Sequence, residues 1–463
     1  MLYDDVLLEI FFSCINQFHG IDSDVWKTLV HVCQRWRHLV LAFPDHLNVQ
    51  LRCSNEKPVR ETLKIWPALP IAVWGKNDDF KDADGIIVAL EQRDRIYEIN
   101  FEGHPSLHSF ETVVSSMLVP FPALKRLFLS AREEPAPVIS DTFLGGSAPR
   151  LQSLHLHGIP FPALPNLLLS AGDLVDLTLR GIFQTGTFLP ETIANCISNL
   201  SRLETLCLEF GSRQSCPFPG RRSPPVARAV LPALYRLSFE GIANYLDDLV
   251  SRIDAPVIRF LDMTFFNQPF VTSDFGQLRQ FIGRAEKFKS LTHAHINFCY
   301  PAVELSLFQQ TQTHGVELSV GILCGQLHPQ LQSLAEVGSA SLLPLSKVES
   351  LEFSSELLTW QLHEEHTEED ARWLNVLQPF SAVKNLYPHE NTLPSFAYAL
   401  KEVSEDRLSE VLPALQELSI DEPHPPGPVD KPSPPAVQEA IERFIAMRRL
   451  HTTVVNHDYW LSD

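Results

Sequence analysis

The chain has 463 residues, of which 44% are hydrophobic and 10% aromatic, enough apolar material for a large core and too much for a disordered polymer. Its 56 acidic residues against 37 basic ones give a net charge of −19, which repels phosphate backbones and argues against general nucleic-acid binding. No apolar run reaches the roughly 18 residues of a membrane span, and the start, Met1-Leu2-Tyr3-Asp4-Asp5, is acidic where a secretory signal is basic.

Residues 2–43 carry a helical pattern. Val6, Leu7, Ile10, Phe11 and Cys14 fall on one stripe, with Asp4 and Asp5 at the amino end, where the helix dipole favours anions. Asp22-Ser23-Asp24 offers a cap for a second helix. Along it Trp26, Leu29, Val30, Cys33, Trp36, Leu39 and Val40 recur at helical spacing until Pro44 breaks the pattern. Two such helices have more apolar area than they can bury alone. They must cover each other, the next segment or a partner.

The run Leu2-Tyr3-Asp4-Asp5-Val6-Leu7-Leu8-Glu9-Ile10-Phe11, followed by Val32-Cys33-Gln34-Arg35-Trp36-Arg37, resembles an F-box. Its first half matches Leu-Pro-acidic-acidic-apolar-Leu-Leu-x-Ile-Phe, with Tyr3 in place of Pro, and its second half matches Val-Cys-x-x-Trp-Arg after a longer loop at 15–23. The continuation, Val59-Arg60-Glu61-Thr62-Leu63-Lys64-Ile65-Trp66, is similar to proteins of mushroom-forming fungi that join an F-box to irregular leucine-rich repeats. The resemblance implies an F-box-like helical domain over 1–45 and a substrate-recruiting, non-catalytic subunit of a Skp–cullin–F-box ubiquitin ligase. It implies no cofactor and no metal. The partners would be a Skp-family adaptor, a cullin ligase reached through it, and a protein substrate. By motif position the adaptor face is Leu2, Val6, Leu7, Ile10, Phe11, Val30, Cys33, Trp36 and Val40. The competing reading is a ligase-independent scaffold or inhibitor, with the two helices as an amphipathic cap.

After Pro44 the chain turns repetitive. Leu47, Val49 and Leu51 alternate as a strand, residues 58–66 read as a helix, and Ile71 and Val73 alternate again. An apolar-x-x-apolar-x-apolar unit then recurs: Leu124-x-x-Leu127-x-Leu129, Leu151-x-x-Leu154-x-Leu156, Leu174-x-x-Leu177-x-Leu179 and Leu203-x-x-Leu206-x-Leu208. Leu234-x-x-Leu237-x-Phe239, Ile258-x-x-Leu261-x-Met263, Val348-x-x-Leu351-x-Phe353 and Leu415-x-x-Leu418-x-Ile420 continue it, with weaker copies ending at Phe101 and Ile296 and a further strand at Val316, Leu318 and Val320. The units return every 23–35 residues, room for a strand, a turn and a helix. Residues 189–200 and 274–288 show the helical stripe between them.

The pattern resembles leucine-rich repeats, and most copies lack the Asn or Cys that closes the turn. The expected fold is α/β: an irregular solenoid over 46–463, a curved parallel sheet with helices on its convex side. Period-two alternation sends the intervening side chains to the polar, concave face. Arg126, Phe128, His155, His157, Arg180, Glu209 and Arg236 are the candidate substrate-binding residues there. Glu240, Asp262, His293, His295 and Glu352 follow. The row is basic and histidine-rich early, which points to an acidic or phosphorylated target near 126–180.

Several segments have plain readings. Residues 421–435 are proline-rich and read as a surface excursion, and 436–463 read as a C-terminal cap with a helix and a last strand. Ser212 to Ala229 reads as a long loop, and the acids from Glu364 to Asp370 as a solvated face. His363 and His366 lie three apart, where a zincin needs four. GxSxG and phosphate-loop motifs are absent. The eight cysteines are scattered without a CxxC pair, which fits a reducing compartment, cytoplasm or nucleus.

Overall fold

A computed structural model describes the chain outside residues 1–2, 17–24, 44–46, 48–50, 54–58, 67–68, 77–83, 103–106, 132–137, 184–185, 218–226, 269–274, 310–314, 325–326, 356–369, 390–391, 394–395, 398–410, 422–434, 449–450 and 456–463. It forms two compact units, Met1–Phe188 with Asn195–Gly211, and Leu189–Ala194 with Ser212–Asp463. Both are α/β, with mostly parallel strand pairing.

The first unit opens with helices α1 (Asp4–Asn16), α2 (Val25–Val32) and α3 (Gln34–Ala42). Trp26 to Val40 reads as one helix in the sequence, but Cys33 is extended (φ −157°, ψ 169°) and divides it. The reason is phase. Trp26 and Trp36, Leu29 and Leu39, and Val30 and Val40 are equivalent pairs ten positions apart. At ~100° per residue a straight helix would turn the second set about 80° from the first. The break lets Val30 and Val40 share one interior, both fully buried.

Strands β1 (Leu51–Cys53), β2 (Ile71–Lys76), β3 (Ile96–Glu102), β4 (Arg126–Ser130), β5 (Ser153–His157), β6 (Asp176–Ile182) and β7 (Thr205–Phe210) pair in chain order, each parallel to the next. The repeat sets the register. Leu127, Leu154, Leu177 and Leu206 are cross-strand neighbours, as are Leu129, Leu156, Leu179 and Leu208. All eight are buried, and burying a leucine is worth about 1.5–3 kcal/mol. The leading residue of each copy closes a turn before its strand: Leu151 N–H donates to Ala148 O and Leu174 N–H to Ala171 O. Helices α4 (Val59–Ile65), α5 (Asp84–Leu90), α6 (Leu107–Ser115) and α7 (Leu164–Ser170) fill connections. Gly158 leaves β5 at φ +68°, where an added Cβ would sit 2.1 Å from Ala131 O. Only glycine fits that approach.

The second unit holds helices α9 (Ala243–Arg252), α10 (Gly276–Arg284), α11 (Leu327–Ser339), α12 (Asp370–Leu377) and α13 (Pro435–Arg448), after a helix α8 at Pro190–Ile197. Its strands are the short pair β8 (Ala229–Val230) and β10 (Ile253–Asp254), with β9 (Arg236–Gly241), β11 (Phe260–Phe266), β12 (His293–Phe298), β13 (Ala302–Phe308), β14 (Glu317–Leu323), β15 (Ser350–Ser355), β16 (Asn385–Pro388), β17 (Glu417–Asp421) and β18 (His451–Val455). Trp373 anchors its core, edge-on to Phe298 and Phe353 at 5.6 and 5.3 Å.

Here the expected chain-order parallel stack is overturned. β11 is followed in space by β14, then β13, then β12, then β15. β13 runs antiparallel to both neighbours, pairing Leu305 with Ile296 on one side and Val320 on the other. The physical cause is connection length. Only Cys299, Tyr300 and Pro301 separate β12 from β13, too few for the crossover that a parallel return requires. The chain therefore doubles back twice, and β14 ends parallel to β11. Residues 422–434 of the proline-rich stretch, 218–226 of the loop that follows Ser212, His363, His366 and all of the acidic run but Asp370 lie outside the described residues.

Candidate functional site

Two surfaces carry the candidate residues. The first is the three-helix N-terminus. Leu7, Phe11, Val30 and Val40 are buried inside it. Phe11 meets Trp36 edge-on with centroids 4.7 Å apart, and the Arg35 guanidinium donates to Asp4 Oδ1 at 3.0 Å through Nε. Trp26 packs against Trp66, the residue after α4, at 5.2 Å, joining the helices to the following segment. Arg95 fixes that junction by donating to Trp66 O and Leu69 O. Val6 (44% exposed) and Ile10 (42%) point outward, with Tyr3, Phe12 and Val32 also exposed. Cys33 is exposed, Trp36 half-buried, and Leu2 lies outside the described residues. Of the eight described adaptor candidates, four turn inward, Val6, Ile10 and Cys33 are exposed and Trp36 lies between, while Tyr3, Phe12 and Val32 join the exposed set. Tyr3 lies three positions before Val6 and seven before Ile10, the helical spacing that was its available signal; Phe12 and Val32 do not follow it.

The second surface is the polar face of the strands. In the first unit β-register brings together Asn100, Phe128, His155 and Thr178 as one row and Ser130, His157 and Arg180 as the next. Arg126 forms an ion pair with Glu98 and lies over the Tyr97 ring at 5.4 Å. Burial opposes the Arg126 charge, but Glu98 and Tyr97 raise its pKa on balance. Arg180 Nε lies 3.0 Å from Glu209 Oε1. Glu209 also accepts from Cys207 Sγ, and burial, then the Glu209 charge, pushes that thiol up to about 12. The two arginines on which an acidic target would depend are therefore already engaged by carboxylates. Phe128 and His155 stack at 5.8 Å.

In the second unit Arg236 lies over Phe260 at 4.2 Å, and His293 stacks on Phe308 at 5.7 Å. Sequence reasoning finds no nucleophile beside a base, but the fold places His295 Nε2 2.7 Å from Ser354 Oγ. Ser354 donates its proton to Asn297 Oδ1 at 2.8 Å, so the histidine acts as donor to the hydroxyl. That polarity is opposite to general-base activation. Among the described residues no three His, Cys, Asp or Glu side chains gather as a metal site, and no helix is long and apolar enough to cross a membrane. The chain matches no protein-family model and no curated protein.

Proposed function

We propose that the chain is a target-recruiting subunit of a Skp–cullin–F-box ubiquitin ligase, acting in the cytoplasm or nucleus without chemistry of its own. The observation that carries this reading is the division of α1. Its inner side chains complete a core with α2 and α3, while Val6 and Ile10 remain exposed on the opposite side. An exposed apolar helix face of this kind suits a helix-in-groove contact with an adaptor. The in-register leucines and parallel pairing support a leucine-rich-repeat solenoid whose polar face holds the target. Its contribution to ubiquitin transfer would be proximity, which raises the effective concentration of a target lysine.

The test is capture of a purified Skp-family adaptor by the full chain, beside a Val6→Asp/Ile10→Asp variant. Both positions are exposed, so the variant keeps its fold and loses the adaptor. A Leu7→Asp change is unsuitable, because Leu7 is buried and its loss would unfold the helices. Failure of the parent chain to capture the adaptor would leave a ligase-independent scaffold.

A further inference from the structure

We draw no further inference here: the strongest candidate, the outer edge of β18 (His451–Val455), which among the described residues pairs only with β17, carries nothing because nothing in the structure shows what covers it.

Discussion

The Trp36 indole stands edge-on to the Phe11 ring, centroids 4.7 Å apart and planes at 60°, and this contact ties α3 to α1. Phe11 is fully buried. Trp36→Ala should therefore destabilise the helices by about 2 kcal/mol, below the 3–5 of a fully buried aromatic because Trp36 is half-exposed. Val6→Asp and Ile10→Asp should each cost less than about 0.5 kcal/mol. Urea titration of the three variants measures the difference. Equal losses would mean that Val6 and Ile10 are covered in solution.

Cys33 is exposed, whereas Cys53, Cys207 and Cys216 are buried. Burial first pushes the Cys53 thiol up to about 11, and burial also pushes Cys207 and Cys216 up to about 12. The thiolate is the reactive form. At pH 8 a thiol reagent should label Cys33 promptly and those three only after unfolding. Bound adaptor should slow labelling at Cys33, and unchanged labelling would place the adaptor elsewhere.

His155 titrates below its ordinary 6.5 because burial disfavours its charge, aided by Arg180 and opposed by Asp176. The unfolded chain thus takes the proton more readily than the folded one. The stability from neutral His155 is complete above pH ~6.5 and is lost as pH falls through the folded value. His155→Gln should flatten that part of the curve. A thermal-melt series from pH 8 to 5 that stays parallel to the parent would refute it.

Gly158 and Gly172 should respond oppositely to alanine. Gly158 has φ +68° and a carbonyl in the way of any Cβ, so Gly158→Ala should cost about 2 kcal/mol or more. Gly172 has no positive φ and nothing within 4 Å, so its replacement should be neutral or stabilise by up to ~1 kcal/mol. Melting temperatures of the two variants decide it.

The spacing of Leu127, Leu154, Leu177 and Leu206 is enough to read the register of the first unit, because a strand with one buried face cannot slip by one residue. The hairpin at β13 was also present as a signal. Ala302-Val303-Glu304-Leu305-Ser306-Leu307-Phe308 alternates apolar and polar directly after a three-residue connection. It does not fit the Leu-x-x-Leu-x-Leu template, which is why periodicity alone passes over it. The helical stripe of α1 was legible, but which of Val6, Leu7, Ile10 and Phe11 turn inward depends on where α2 and α3 dock. The pairs Glu98–Arg126 and Arg180–Glu209 join neighbouring repeats. They emerge only once strands are aligned, so composition suggested a basic surface where the fold has a neutralised one.

The reversed order around β13 also fixes when this region can become stable during synthesis. In the first unit each strand meets its predecessor as soon as the next repeat leaves the ribosome. β11 also meets its predecessor β9 on one edge, but its other edge pairs with β14, with Phe260 beside Glu317. The chain between them, including β12 and β13, must emerge first. Until then β11 presents an unpaired edge, so this strand is where a nascent chain would most need a chaperone.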